Sequence, residues 1–103
     1  MIRRVFGLQE RTVTISNRLG LHARAAARLV RRASQFNSSV KLLREDTGET
    51  ADGKSILSVL LLAASRGTSL IIKVDGDDEE RAVNALVELV EQKFGEELSD
   101  GVF

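Results

Sequence analysis

Two hydrophobic periods alternate along this chain, and that alternation limits its fold more than any other feature. Residues 11–16 and 68–74 carry apolar side chains at every second position, as half-buried strands do. Residues 23–36 instead repeat apolar side chains every three or four positions, as one face of a helix does. Because all these segments are short and lie within 103 residues, they must share one sheet and one core.

The remaining segments give the predicted order β-α-β-β-α-β-α. Residues 39–44 and 49–51 are predicted as a hairpin, because the stretch between them has the composition of a turn. A short apolar helix is predicted after Ser55, a good N-cap residue. In the last helix Asp77 and Glu80 resemble a capping box, and an apolar stripe follows them. Its members are Ala82, Val83, Leu86, Leu89 and Val90.

Four short strands and three helices in one domain predict an α+β fold. The predicted architecture is a two-layer, open-faced sandwich, in which three helices cover one face of a four-stranded antiparallel sheet. The domain is predicted to span residues 11–94. Residues 1–10 are interpreted as an N-terminal extension and residues 95–103 as a C-terminal tail. The chain is expected to be a monomer.

Charge and residue usage exclude several classes of function. Fifteen basic residues balance fifteen acidic residues, which argues against binding nucleic acid or an anionic membrane through the whole surface. With no cysteine and one histidine, a disulfide or a zinc site is not expected, nor is a cofactor. The longest apolar run, residues 59–64, is too short to span a bilayer, and the start lacks the apolar stretch of a signal peptide. A cytoplasmic location is expected.

The single histidine, His22, follows a glycine-containing loop and precedes an alanine-rich helix. The free N–H groups of a helix N-terminus bind anions, and Arg24 could bind phosphate through two N–H groups. A neutral imidazole nitrogen is also a nucleophile. The pattern therefore predicts phosphate chemistry on His22. The alternative is a capping or surface histidine beside a solvated arginine, and Arg28 and Arg31 are interpreted as part of a solvated face.

Ser55 is the second candidate site, and it can be interpreted either as a helix cap or as a regulatory phosphorylation site. Serine at this position caps a helix, and a phosphate there would add charge that the helix dipole accepts. The helix that follows carries more apolar side chains than one covered face needs. If some are exposed, they mark a surface for a protein partner; otherwise the sheet and the other helices bury them all. The residues in question are Ile56, Leu57, Leu60, Leu61 and Leu62.

Three of these segments resemble one family. Residues 20–26, Gly-Leu-His-Ala-Arg-Ala-Ala, resemble the phosphohistidine site of HPr, the histidine-containing phosphocarrier of the bacterial phosphoenolpyruvate-dependent sugar phosphotransferase system. Residues 53–57, Gly-Lys-Ser-Ile-Leu, resemble its regulatory serine segment. Residues 76–79 with Ala82 and Val83 resemble the start of its last helix. The resemblance covers roughly residues 11–94 in unbroken order.

The resemblance implies a stoichiometric phosphocarrier rather than a turnover enzyme. His22 would accept a phosphoryl group on Nδ1 from enzyme I, which takes it from phosphoenolpyruvate, and would pass it to enzyme IIA domains. Arg24 would be the active-site arginine that stabilises the phosphoryl group. Ser55 would be phosphorylated by HPr kinase/phosphorylase with ATP. The residues implied in docking on these partners are Ala23, Ile56, Leu57 and Leu60.

One residue departs from the family, and two other functions compete. Ala25 stands where the family usually has proline, which implies a slightly looser helix start with retained chemistry. Within the family, a regulatory, nitrogen-related member would signal rather than feed sugar import. A small nucleic-acid-binding module could instead use the arginines of the first helix. The balanced charge and the absence of tyrosine and tryptophan argue against that module.

Overall fold

The computed structural model, which describes residues 8–96, contains four strands and three α-helices. Their order is the predicted β-α-β-β-α-β-α. The elements are β1 (Gln9–Thr14), α1 (Ala23–Ala33), β2 (Ser39–Arg44), β3 (Thr50–Asp52), α2 (Ile56–Leu62), β4 (Ser69–Asp75) and α3 (Glu79–Glu91).

The strands form one antiparallel sheet in the order β1-β4-β2-β3. Strand β4 lies inside the sheet, and its alternate side chains Leu70, Ile72 and Val74 are fully buried. They contribute to a single core with the apolar faces of the helices, including Leu29 of α1, Val59 of α2 and Leu86 of α3. The predicted open-faced α+β sandwich is confirmed.

Several predicted element bounds differ from the structure: β1 ends at Thr14 rather than at residue 16, and β3 and β4 each lie one residue later than predicted. Strand β1 begins at Gln9, within the predicted extension, because its antiparallel pairing with β4 starts at Gln9 opposite Val74. Helix α1 ends at Ala33, where Ser34 is the C-cap, although Phe36 was predicted inside it. Phe36 still packs against the core from the turn that follows. The rest of the predicted extension, residues 1–7, and residues 97–103 lie outside the described part of the chain.

The start of α3 also differs from the predicted capping box. The N-cap is Asp78 rather than Asp77, and Oε1 of Glu79 accepts a hydrogen bond from the Gly76 N–H at 3.0 Å. The Asp78 carboxylate accepts from the backbone N–H groups of Asn37 and Ser38, at 2.9 and 3.0 Å, and from the Ser38 hydroxyl. Asp78 therefore connects the end of the α1–β2 loop to α3.

This connection makes a prediction about stability in acid. Hydrogen bonds from the Ser38 hydroxyl and the Asn37 N–H lower the pKa of Asp78 from 3.8 to about 2. Because the folded-state pKa lies below the unfolded value, the stabilisation is complete above the unfolded pKa and is lost as the pH falls towards 2. Asp78→Asn keeps an acceptor oxygen but does not titrate. We expect the urea midpoint of Asp78→Asn to fall less between pH 5 and pH 2 than the urea midpoint of the wild type. Equal decreases in the two midpoints would show that ionised Asp78 does not stabilise the fold.

Candidate functional site

His22 is the N-cap of α1, as the sequence predicts. Its backbone is extended, and its carbonyl accepts the first helical hydrogen bond, from the Ala26 N–H at 2.8 Å. Its side chain caps the helix as well, because Nδ1 accepts a hydrogen bond from the Arg24 backbone N–H at 3.2 Å. An Nδ1 that accepts must carry a lone pair, so the proton of the neutral ring lies on Nε2.

The loop before His22 packs on the segment that follows α2. The Leu21 N–H donates to the Ala64 carbonyl at 2.9 Å. Gly20 has a left-handed backbone with φ +68°, and a Cβ at this position would lie 2.7 Å from the Ala64 carbonyl oxygen. Only glycine fits this close approach without displacing a backbone. The geometry of this loop fixes His22 beside the end of α2.

A buried carboxylate lies on the other side of the imidazole. Glu96 Oε2 is 2.6 Å from His22 Nε2, and the Glu96 side chain is only 3% exposed, against 24% for His22. The alignment of the two atoms does not meet the angular requirement of a hydrogen bond, so the contact is an electrostatic one in this geometry. Nε2 is buried, so the exposed part of the ring lies on its other atoms.

Asn17 joins Glu96 to the loop that carries His22. Its side-chain amide donates to Glu96 Oε1 at 3.1 Å and to the Gly20 carbonyl at 2.8 Å, and the residue is completely buried. One amide group therefore fixes both the loop before His22 and the carboxylate beside it.

A left-handed turn after α3 brings Glu96 to this position. Lys93, Phe94 and Gly95 have φ angles of 58°, 57° and 75°. For the two residues other than glycine, this backbone costs about 1–2 kcal/mol each. Burial of the Phe94 side chain, which is 1% exposed, offsets this backbone cost by about 2–3 kcal/mol. A hydrogen bond from the Arg28 guanidinium to the Phe94 carbonyl adds to this.

Arg28 thus differs from its predicted role. It was interpreted as part of a solvated face, but it is half-buried and binds the turn that precedes Glu96. Helix α1 therefore anchors this turn through Arg28 while its N-cap carries the imidazole.

Arg24 contributes its backbone, rather than its side chain, to the arrangement around His22. Its side chain is exposed and makes no hydrogen bond or ion pair with the residues between 8 and 96. The guanidinium is therefore available to an incoming anion, and its predicted role in phosphoryl stabilisation stays a prediction.

Ser55 caps α2, and an apolar surface follows it. Its hydroxyl accepts a hydrogen bond from the Ser58 N–H at 3.2 Å, as expected of an N-cap. Ile56, Leu57 and Leu61 are 46%, 66% and 71% exposed, so the surplus of apolar side chains does reach the surface. We call these three residues the α2 apolar surface. Leu60 is partly buried against the core, and its predicted role in docking stays a prediction; Leu61 is not among the predicted docking residues.

Sequence reasoning missed Asn17, Arg28 and Glu96. Glu96 follows Phe94, and a large aromatic side chain beyond the last periodic segment is a signal for a packed turn rather than a tail. Gly95 after it is a second signal, since glycine often marks a left-handed backbone. For Asn17 and Arg28 the sequence carries no comparable signal, because Glu96, which Asn17 binds, and Phe94, which Arg28 binds, lie far along the chain.

The part of the chain between residues 8 and 96 contains no group of three or more histidine, cysteine, aspartate or glutamate side chains that could hold a metal ion. None of its helices is both long enough and apolar enough to cross a bilayer.

Comparison with known proteins identifies relatives over most of the chain. Residues 9–92 match the family model described as the PTS HPr component phosphorylation site. The phosphocarrier protein HPr of Xylella fastidiosa (strain Temecula1) is 47% identical over 88 residues, which are 85% of this chain and 97% of that protein.

Solved structures agree with this match. HPr-C-His from Thermoanaerobacter tengcongensis superimposes with a TM-score of 0.82 and 43% identity, over 86% of this chain and 98% of that one. An HPr dimer from the same organism gives a TM-score of 0.67 with 41% identity, over 84% and 98%. The matched span contains the imidazole that caps α1 and the serine that caps α2. The chain belongs to the HPr family of phosphocarrier proteins.

Proposed function

We propose that His22 Nδ1 accepts a phosphoryl group from phosphorylated enzyme I, which is charged by phosphoenolpyruvate, and passes it to enzyme IIA domains. The observation that carries this proposal is the cap at α1: the Arg24 N–H directs the Nδ1 lone pair towards the helix N-terminus. Membership of the HPr family supports the same carrier role. The chain acts stoichiometrically, as a cytoplasmic monomer, and turns over no substrate of its own.

The residues around His22 have separate tasks in this transfer. Nδ1 is the nucleophile, because it carries the lone pair of the neutral ring. The hydrogen bond that this lone pair accepts from the Arg24 N–H breaks as the bond to phosphorus forms. As the phosphoryl group arrives, the first N–H groups of α1 and the Arg24 guanidinium receive its oxygens, since both favour negative charge at this position. The exposed Arg24 side chain is free to move onto the ligand without breaking a contact among the described residues.

The α2 apolar surface is the docking surface in this proposal. Ile56, Leu57 and Leu61 expose apolar area, and large exposed apolar side chains are typical of a protein interface. The hydrogen bond from Leu21 to Ala64 connects the loop before His22 to the end of α2. A partner that covers α2 therefore also comes close to His22. Ala23, which is exposed on the first turn of α1, belongs to the same docking surface.

The carrier function is tested by intact-mass analysis. We expect one phosphoryl group to be added when the chain is mixed with enzyme I and phosphoenolpyruvate, and to be removed when an enzyme IIA domain follows. A chain that gains no mass with active enzyme I would overturn the proposed function.

Phosphorylation of Ser55 by an ATP-dependent kinase is proposed to inhibit docking. A phosphate brings about −1.5 to −2 charges. The N-terminus of α2 tolerates negative charge, but an apolar interface does not, because burial of an unpaired charge is costly.

We expect the free energy of unfolding of Ser55→Asp to lie within about 1 kcal/mol of the wild-type value. The same variant should nevertheless be phosphorylated at His22 clearly more slowly. Thermal melting and transfer rate are measured on one preparation. Ser55→Asn, which also caps well but adds no charge, is the matched control. Equal rates for the aspartate and asparagine variants would leave Ser55 only a helix cap.

A further inference from the structure

We propose that Glu96 is a positioning residue for phosphoryl transfer, acting through the Nε2 side of His22. This inference rests on the proposed function of His22 and goes beyond it. The observation is a carboxylate, 97% shielded from solvent, with one oxygen 2.6 Å from His22 Nε2 and the other bound by the Asn17 amide.

The first argument concerns the location of the ring proton. A neutral imidazole has one protonated nitrogen and one free lone pair. The Arg24 N–H points at Nδ1, and the carboxylate lies beside Nε2, so both neighbours favour the form with the proton on Nε2. A carboxylate oxygen only 2.6 Å from Nε2 attracts a proton on that nitrogen and repels a lone pair there. A carboxylate that orients a histidine in this way also determines which nitrogen can act as the nucleophile.

The second argument concerns charge during the transfer. The Nδ1 lone pair forms a bond to phosphorus while the bond from phosphorus to the donor's leaving atom breaks, and that electron pair leaves with the donor. No proton leaves His22, because the ring proton lies on Nε2. The ring therefore becomes positive as the N–P bond forms, and the buried carboxylate stabilises that charge. In transfer onward the N–P electron pair returns to Nδ1 and the ring becomes neutral again.

The third argument is that the fold strains its backbone to hold Glu96 there. Two residues other than glycine, Lys93 and Phe94, adopt left-handed backbone angles just before it. Such strain persists only where surrounding contacts enforce it, and it concentrates at functional sites. Here the enforcing contacts are the buried Phe94 ring, the Arg28 hydrogen bond to the Phe94 carbonyl and the Asn17 amide on Glu96. All three fix Glu96 in relation to His22.

The test compares wild type with Glu96→Gln, which keeps the size and the acceptor for Asn17 but removes the charge. Glu91→Gln, at an exposed position at the end of α3, is the control with the same change in net charge. With enzyme I as the phosphoryl donor, we expect kcat to fall about tenfold in Glu96→Gln. A fall of this size is the lower end of the loss found when a metal-bound histidine is deprived of the side chain that orients it. KM should stay unchanged, because Glu96 is buried away from the docking surface. Glu91→Gln should match the wild type in both constants.

A second readout does not depend on phosphorylation. His22 is the only histidine, so a ring N–H signal in the proton–nitrogen NMR spectrum has one assignment. We expect a slowly exchanging Nε2–H signal in wild type and in Glu91→Gln, and its shift or loss in Glu96→Gln and in Glu96→Ala. If Glu96→Gln retains both the signal and the wild-type kcat, Glu96 has no positioning role. A wild type that shows the signal but accepts no phosphoryl group would instead refute the carrier function and leave the orientation of the ring supported.

Discussion

Replacing His22 by asparagine is expected to abolish phosphorylation by enzyme I while leaving the stability of the fold nearly unchanged. The structure shows that His22 Nδ1 caps α1, and the proposed function makes the same atom the phosphoryl acceptor. Asparagine is among the best N-cap residues but has no nucleophilic ring nitrogen. In contrast, His22→Ala should lose the phosphoryl acceptor and also about 1 kcal/mol of stability through the missing cap.

The measurement is intact mass after reaction with enzyme I and phosphoenolpyruvate, together with a thermal melt of each variant. Wild type should gain one phosphoryl group that is labile in acid and stable in alkali, as expected of a phosphorylated imidazole. Uptake of phosphate by the asparagine variant would show that another residue is the acceptor.

Gly20→Ala is expected to have the largest effect on stability. The position combines a left-handed backbone, φ +68°, with a Cβ site 2.7 Å from the Ala64 carbonyl oxygen and 2.9 Å from the Ser65 Cα. The backbone conformation costs an alanine about 1–2 kcal/mol, and an overlap with backbone atoms costs about 1–3 kcal/mol more. We expect a loss of about 3 kcal/mol in the free energy of unfolding, which corresponds to roughly 12–24 °C in Tm for a domain of this size.

Gly48→Ala is the matched control for this prediction. Gly48 also has a left-handed backbone, φ +78°, but a Cβ there would contact nothing within 4 Å. It should therefore lose only the conformational part, about 1–2 kcal/mol. If both variants melt at the same temperature, the close approach of Gly20 to Ala64 does not contribute to stability.

Local patterns were sufficient to predict the fold. The two-residue alternation in β4 and the three- and four-residue spacing in α1 each describe a face that must be buried, and both faces lie in one core. Errors occurred where tertiary contacts moved a boundary, as at Gln9, which is a strand residue because Val74 pairs with it. At α3 the N-cap is Asp78 rather than Asp77, and its carboxylate binds the α1–β2 loop, a contact that no local pattern contains.

Only those residues of the candidate site whose role follows from their sequence neighbours could be predicted. His22, Arg24 and Ser55 stand at helix starts, and the chemistry of a helix start can be read from neighbouring residues. Glu96 was assigned to a tail because its partners, Asn17 and His22, lie far away in the sequence and no periodicity relates them. The greater exposure of Leu61 than of Leu60 could not be predicted either. Consecutive positions in an almost wholly apolar helix give no sign of which one faces solvent.

The hydrogen bond between Asn17 and Glu96 joins residues that are 79 positions apart. A ribosome that makes this chain therefore releases the imidazole well before the carboxylate that lies beside it. The hydrogen bonds of helix α1 are local, whereas closure of so long a loop must wait until Glu96 has been made. A nascent chain can thus expose His22 before its surroundings are complete. The arrangement around the imidazole therefore marks a chain that has been translated at least as far as Glu96 and has folded.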